Sequence, residues 1–307
     1  MKTLIYFSIL ILLFSASCSQ KKDGFESELS KEKLADLHDG FTTRELTKEI
    51  LITSGDSVVI VAFGHVYGLL YHPDVFDLLI KTVNAEDPDY VWVLGDVVYN
   101  NTEEEWNTVL SKYSVLKGKR FHAGGNHDMN YHYERYHGNR ENQWVAESRY
   151  LDKIGYRYLT LEDELANYML INMNDSLPRI KDYLTQMLPQ LNPDKQSILF
   201  THHATWHENQ SLEDDPKTWV KKSFPRDSLM PQLVDFDYLV YGDWSEGFYF
   251  NSININGNEF EVIDAGNLKE GDPLHITRIV IKPDGVEAKP IDIPIPSESN
   301  WYKKSPH

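Results

Sequence analysis

Two hydrophobic periods alternate along this chain. Val58–Phe63 is an unbroken apolar run that stops at Gly64, the pattern of a strand buried on both faces. Val75, Phe76, Leu78, Leu79 and Val83 then recur at helical spacing, with Pro73-Asp74 as a start and Asp87-Pro88 as a stop. Val91–Leu94 predicts a second buried strand, ending at Gly95-Asp96. Thr102 and Glu105 have the spacing of a capping box for a helix through Leu110. Arg120–Ala123 predicts a short strand running into Gly124-Gly125. Tyr158-Leu159 and Tyr168–Ile171 read as adjoining strands, and Ile180–Leu188 as a helix. Ser197–Phe200 and Tyr238–Tyr241 are apolar strands that end at Thr201-His202-His203 and Gly242-Asp243. Beyond them Phe248–Phe250, Ile253–Ile255, Phe260–Ile263 and Ile276–Ile281 alternate, with Asn256-Gly257 as a hairpin turn. The strand–helix rhythm predicts an α/β layered domain, and the later strands favour a second, mixed or antiparallel sheet.

The first residues do not share this rhythm. Lys2 precedes an apolar stretch, Leu4–Phe14, too short to span a membrane comfortably and of the size of a signal-peptide core. Ser15, Ala16 and Ser17 follow, then Cys18. The segment resembles the lipobox of bacterial lipoproteins. That implies a signal peptide over 1–17, cleavage before Cys18 and lipidation of its thiol, hence a protein anchored to a membrane of the bacterial cell envelope. Residues 18–54 are then a polar tether and N-terminal extension with one short amphipathic stretch, Glu28–Leu37. The catalytic or binding domain is expected over 55–290, and the Pro-rich residues 291–307 as a surface tail.

Composition narrows the functional classes. The 307 residues are 41% hydrophobic, enough for one substantial core. With 30 Lys and Arg against 47 Asp and Glu, the net charge of -17 excludes a broad nucleic-acid surface. It leaves room for a phosphate-bearing substrate, because a bound cation reverses the local field. Cys18 is the only cysteine, so there is no intrachain disulfide.

The candidate chemistry sits at the strand ends. Gly64-His65, Gly95-Asp96, Gly125-Asn126-His127-Asp128, Thr201-His202 and Gly242-Asp243 each place a small or polar residue and a ligand-type side chain where an apolar strand stops. Ligands gather outside the carboxyl ends of strands in open α/β sheets, and Asp, Asn and His donors suit Zn, Mn or Fe. This ordered set resembles the calcineurin-like metallophosphoesterases, and within them the purple acid phosphatase branch. The match lies in Gly95-Asp96-Val97-Val98-Tyr99, in Gly125-Asn126-His127-Asp128 and in the strand leading to His202.

The resemblance implies an αββα sandwich with two mixed central sheets, and one or two metal ions, divalent or trivalent, sharing Asp96. One ion would take Asp96, Asn126, His202 and Asp243; the other would take His65, Asp96, Tyr99 and the position of Ser245. His127 would protonate or stabilise the leaving group of a phosphate mono- or diester, and Asp128 would orient its ring through the other nitrogen. His203 and Trp206 would line the rim and touch the substrate, whether a sugar, lipid or nucleotide ester. Two motifs depart from the family. Gly64-His65-Val66-Tyr67-Gly68 has His65 where an aspartate is usual and Tyr67 where a histidine or glycine is usual, or, in a shifted register, Phe63 and His65 at those places. Gly242-Asp243-Trp244-Ser245 replaces Gly-His-x-His. These changes weaken the position of His65, Tyr99 and Ser245 more than that of Asn126, His202 and Asp243. They leave two readings: a hydrolase with an altered centre, or a weak or inactive relative that binds a ligand or an envelope partner.

Overall fold

The computed structural model describes residues 40–53, 55–129, 140–203, 229–243, 248–255, 258–265 and 273–302. Two sheets form its centre. The first has the strand order β12-β11-β2-β3-β4 and the second β1-β5-β6-β7-β8-β10-β9. The first sheet contains β2 (Val58–Phe63), β3 (Tyr90–Leu94), β4 (Lys119–Ala123), β11 (His275–Lys282) and β12 (Gly285–Asp292). The second contains β1 (Lys48–Ile50), β5 (Leu159–Glu162), β6 (Ala166–Leu170), β7 (Gln196–His203), β8 (Tyr238–Asp243), β9 (Tyr249–Ile255) and β10 (Asn258–Asp264). Both are mixed. β2, β3 and β4 run parallel while β11 is antiparallel to β2, and β6, β7, β8 and β10 run parallel while β9 is antiparallel to β10.

Strand alternation explains the unbroken apolar runs. Ile60 and Ala62 of β2 face the other sheet, while Val61 and Phe63 face outward, and all four are buried. Between the sheets Trp92 of β3 stacks on Phe200 of β7, with ring centroids 3.8 Å apart and planes 8° apart. The outer face of the first sheet is covered by α1 (Pro73–Ala85) and α2 (Glu103–Tyr113), through Val75, Leu79, Trp106 and Val109. The outer face of the second is covered by α4 (Leu177–Met187), through Ile180, Leu184 and Met187. The order of layers is therefore helix, sheet, sheet, helix, as the sequence implied. The capping box at Thr102 is formed: its hydroxyl accepts from the Glu105 amide, and Glu105 accepts from the Thr102 amide.

Four features differ from the expected organisation. β1 pairs in parallel with β5, so the folded unit reaches back into the expected extension. Glu45 is fully buried against Arg157. α3 (Arg140–Ile154) and β12 occupy stretches with no clear hydrophobic period. The C-terminal run is not a surface tail throughout: Trp301 is fully buried and packs edge-on against His72. Among the described residues no helix is long and apolar enough to cross a membrane. Cys18 and Glu28–Leu37 lie outside them.

Candidate metal centre

Parallel pairing brings the ends of β2, β3 and β4 to one side, and the ends of β7 and β8 meet them there. A Cβ on Gly64 would stand 2.9 Å from the Gly242 carbonyl oxygen and 3.0 Å from that of Leu94. A Cβ on Gly95, whose φ is 83°, would stand 2.5 Å from His202 Nδ1. The glycines at these strand ends are what let the two sheets close to within backbone contact.

His65, Asp96 and His202 come together there. Their ligand atoms lie within 4.8 Å of one another and all three are buried. His65 Nε2 is 3.4 Å from Asp96 Oδ2, and His202 Nε2 is 3.4 Å from Asp96 Oδ1. Asn126, 2% exposed, presents Oδ1 at 3.3 Å from His202 Nε2. Donors about 2.1 Å from one tetrahedral ion stand about 3.4 Å apart, so these spacings fit a shared cation.

Hydrogen bonds around the centre fix which lone pairs point inward. The Leu94 carbonyl can only accept, so His202 Nδ1, 2.6 Å away, donates to it. On the neutral ring the lone pair is then on Nε2, which faces Asp96 Oδ1 and Asn126 Oδ1. Three acceptors turned on one point repel unless a cation or a proton lies among them. Among the described residues the buried Asp96 Oδ2 accepts no hydrogen bond. A metal ion meets these demands, and the mixed nitrogen and oxygen donors suit Zn, Mn or Fe. Burial by itself raises the pKa of Asp96, but protonated rings of His202 and His65 outweigh it and hold the carboxyl well below the usual range, as a cation among these donors would.

Asp128 does not orient the ring of His127. Its carboxylate is buried and accepts from the amides of Asp96 (2.8 Å), Val97 (2.8 Å), Val98 (3.2 Å) and Gly125 (2.9 Å). It therefore clamps the turn that carries Asp96 to the turn that carries Asn126. Burial, together with the charge of Asp96, pushes its pKa up against those four donors. His127 is instead held by the Tyr99 carbonyl, to which its Nδ1 donates at 2.9 Å, while its own amide donates to Asp96 Oδ1 at 2.9 Å.

The remaining candidates divide. The Tyr99 ring stacks on His127 with centroids 5.0 Å apart, at the rim, with the residue 48% exposed. His203 is buried beside the centre, and its Nε2 lies 3.2 Å from Asn174 Oδ1. Asp243 is opposite His203 in the β7–β8 pairing, and only its backbone is described. Trp206 and Ser245 lie outside the described residues.

A family model described as calcineurin-like phosphoesterase matches residues 34–245. The chain belongs to the calcineurin-like phosphoesterase family. A curated relative, an uncharacterised metallophosphoesterase of Campylobacter jejuni, is 27% identical over 190 residues, which are 58% of this chain and 41% of that protein. The chain thus matches less than half the length of this relative. Among solved structures it is similar to the purple acid phosphatase PPD1 from yellow lupin seeds, with a TM-score of 0.50 at 13% identity over 80% of this chain and 47% of that one. It is also similar to the phosphopantetheinyl hydrolase of Mycobacterium tuberculosis, with a TM-score of 0.42 at 14% identity over 70% of this chain and 91% of that one.

Within this calcineurin-like frame, the sequence reading passed over Asn174, which lies beside the candidate centre, and Asn172, whose Oδ1 accepts from the Asn174 amide at 3.0 Å. Asn174 Nδ2 donates to the Gly124 carbonyl at 3.0 Å, so the residue links His203 to the loop ahead of Asn126. The signal was present: β6 is one more apolar strand followed at once by polar residues.

Proposed function

We propose that the protein hydrolyses phosphate mono- or diesters with the help of a metal ion held by His65, Asp96, Asn126 and His202, with Asp243 as a further ligand. One observation supports this above the rest: the inward lone pairs of Asp96, Asn126 and His202 converge in a buried place. Held by these residues, such an ion would supply Lewis-acid polarisation and an acidified water at neutral pH. The chain's own residues do the rest. Leu94 fixes the tautomer of His202 through Nδ1, which leaves Nε2 as the ligand atom. The Tyr99 carbonyl likewise fixes Nδ1–H on His127, so that the proton of a cationic ring available to a leaving-group oxygen is on Nε2. Asp128 keeps the loops of Asp96 and Asn126 at a fixed separation.

The test is metal analysis of the fragment beginning at Ser19, together with hydrolysis of nitrophenyl phosphate and bis-nitrophenyl phosphate. His202→Ala is expected to lose both metal and activity. His127→Ala is expected to keep the metal and lose about 10²–10⁴-fold in rate, the usual contribution of a general acid. A folded wild-type protein that takes up no Mn, Zn or Fe defeats the proposal. A second reading, a relative that binds a ligand without turnover, draws on His65: an imidazole where the family has a carboxylate leaves less negative charge to hold two cations.

The same proposal puts the enzyme on a bacterial envelope membrane through a lipidated Cys18. Its support is the apolar run Leu4–Phe14 ahead of Ser15-Ala16-Ser17-Cys18. Metabolic labelling with palmitate should mark the wild type and not Cys18→Ser, which should leave the membrane fraction. Equal labelling of both proteins would remove the anchor from the proposal.

A further inference from the structure

Asp128 does not hold the ring of His127, and the structure puts two tyrosines around that ring. The ring centroids of Tyr67, Tyr99 and His127 form a nearly equilateral triangle. Tyr67 to His127 is 4.8 Å, Tyr99 to His127 is 5.0 Å, and Tyr67 to Tyr99 is 5.4 Å. Tyr99 lies within 25° of the imidazole plane and Tyr67 within 37°.

Both tyrosines are tied to the backbone that carries Asp96. The Tyr67 amide donates to the Asp96 carbonyl at 3.2 Å. Tyr99 follows Asp96, Val97 and Val98, whose three amides are gripped by Asp128. Its own carbonyl accepts from His127 Nδ1. One constraint sets the rotation of the imidazole about its attachment, and the two neighbouring rings set its plane. Tyr99, 48% exposed, stands at the rim, whereas Asp96 is fully buried.

We propose that Tyr67 and Tyr99 are positioning residues, an aromatic mount that aims His127 Nε2 at the leaving-group oxygen, and that Tyr99 acts through its ring and carbonyl instead of through a phenolate bound to the metal. This departs from the ligand role that the Gly-Asp-x-x-Tyr resemblance implied for Tyr99. The inference rests on the hydrolytic role proposed for His127. A ring held out of line transfers its proton late, and the deficit is largest for leaving groups that most need a proton.

The experiment compares wild type, Tyr99→Phe, Tyr99→Ala, Tyr67→Ala and His127→Ala. Each is assayed for bound metal and for hydrolysis of an alkyl ester against a nitrophenyl ester of phosphate. Tyr99→Phe is expected to retain the wild-type metal content and the wild-type ratio of the two rates. Tyr99→Ala and Tyr67→Ala are expected to retain the metal but to lower the alkyl rate about 10–100-fold, with a much smaller loss on the nitrophenyl ester. Added to His127→Ala, neither alanine variant should change that ratio further, since both act through the same ring. Loss of metal in Tyr99→Phe would make Tyr99 a ligand and overturn the inference. If His127→Ala suppresses the alkyl rate and the tyrosine variants do not, the mount alone is refuted. If His127→Ala leaves the ratio at the wild-type value, the leaving-group role itself fails and the mount goes with it.

Discussion

At Asp96 the backbone and the carboxylate are under separate demands. Its φ of 56° is in the left-handed region, directly after Gly95 at 83°, and His65 on the neighbouring strand end has a φ of 55°. Each such non-glycine conformation costs on the order of 1–3 kcal/mol and persists only where the surroundings enforce it. Asp128 is one enforcer, because its carboxylate holds the amides of Asp96, Val97 and Val98. Strain thus collects at two of the candidate ligand positions. Another buried group leads to a pH prediction. Among the described residues His122 of β4 has no hydrogen-bond partner for Nδ1, and burial, reinforced by the nearby Arg120, pushes its pKa down to about 3. The unfolded chain takes up this proton near pH 6.5 and the folded one only near 3, so the unfolded state binds more protons in between. Stability is therefore whole above about pH 6.5 and falls by about 1.4 kcal/mol per pH unit below it. Urea titrations at pH 7 and pH 5 should show wild type losing about 2 kcal/mol more than His122→Leu. Parallel losses in the two proteins would mean that His122 does not carry the acid limb.

At the scale of elements, the segment ahead of β2 is fastened by charge. Glu45 and Arg157 are both fully buried, with Arg157 Nε 3.2 Å from Glu45 Oε1 and Arg157 Nη1 2.9 Å from Glu147 Oε1 of α3. This staple joins residues 41–51 to α3 and to the start of β5. Truncating one member leaves the other charge buried with too few partners, at a cost of about 3–5 kcal/mol. Glu45→Ala should lower the unfolding free energy from urea titration by that amount, and Glu45→Leu with Arg157→Met should recover most of it; a double variant no better than the single one would assign the loss to packing. Neither residue was legible as a pair, because 112 positions separate them and only the fold closes the gap. β12 was hidden for another reason: it is an edge strand, and its exposed Glu287, Lys289 and Pro290 interrupt the apolar alternation. By contrast β2, β3, β7 and β8 were plain in the sequence, since burial on both faces writes itself as a continuous apolar run. Asp96, Asn126, His202 and His65 were legible for the same reason, as the residues where those runs stop. The work of Asp128 was not: adjacency to His127 suggested a side-chain partner, while the turn directs the carboxylate at backbone amides that no motif displays.

For the molecule as a whole, the candidate centre lies on the seam between the sheets. Asp96 follows β3, His65 follows β2 and Asn126 follows β4, all in the first sheet, whereas His202 belongs to β7 in the second. An ion shared by these residues ties the two sheets at the end where glycines have already brought the backbones together. Without it, the acceptors of Asp96, Asn126 and His202 are left opposed. Binding to the folded state alone adds about 2.7 kcal/mol when free metal is a hundredfold above its dissociation constant. A chain of this size gains about 2–4 °C in melting temperature per kcal/mol, so chelation should lower the midpoint by about 5–10 °C. Returning Mn or Zn should restore it. His202→Ala should lose most of this metal-dependent shift, because it leaves Asp243 as the one proposed ligand on the second sheet. Should the wild type melt identically with and without metal, the folded state would hold no ion that the unfolded chain does not, and the seam would be closed by the Trp92–Phe200 core and the glycine contacts without its help.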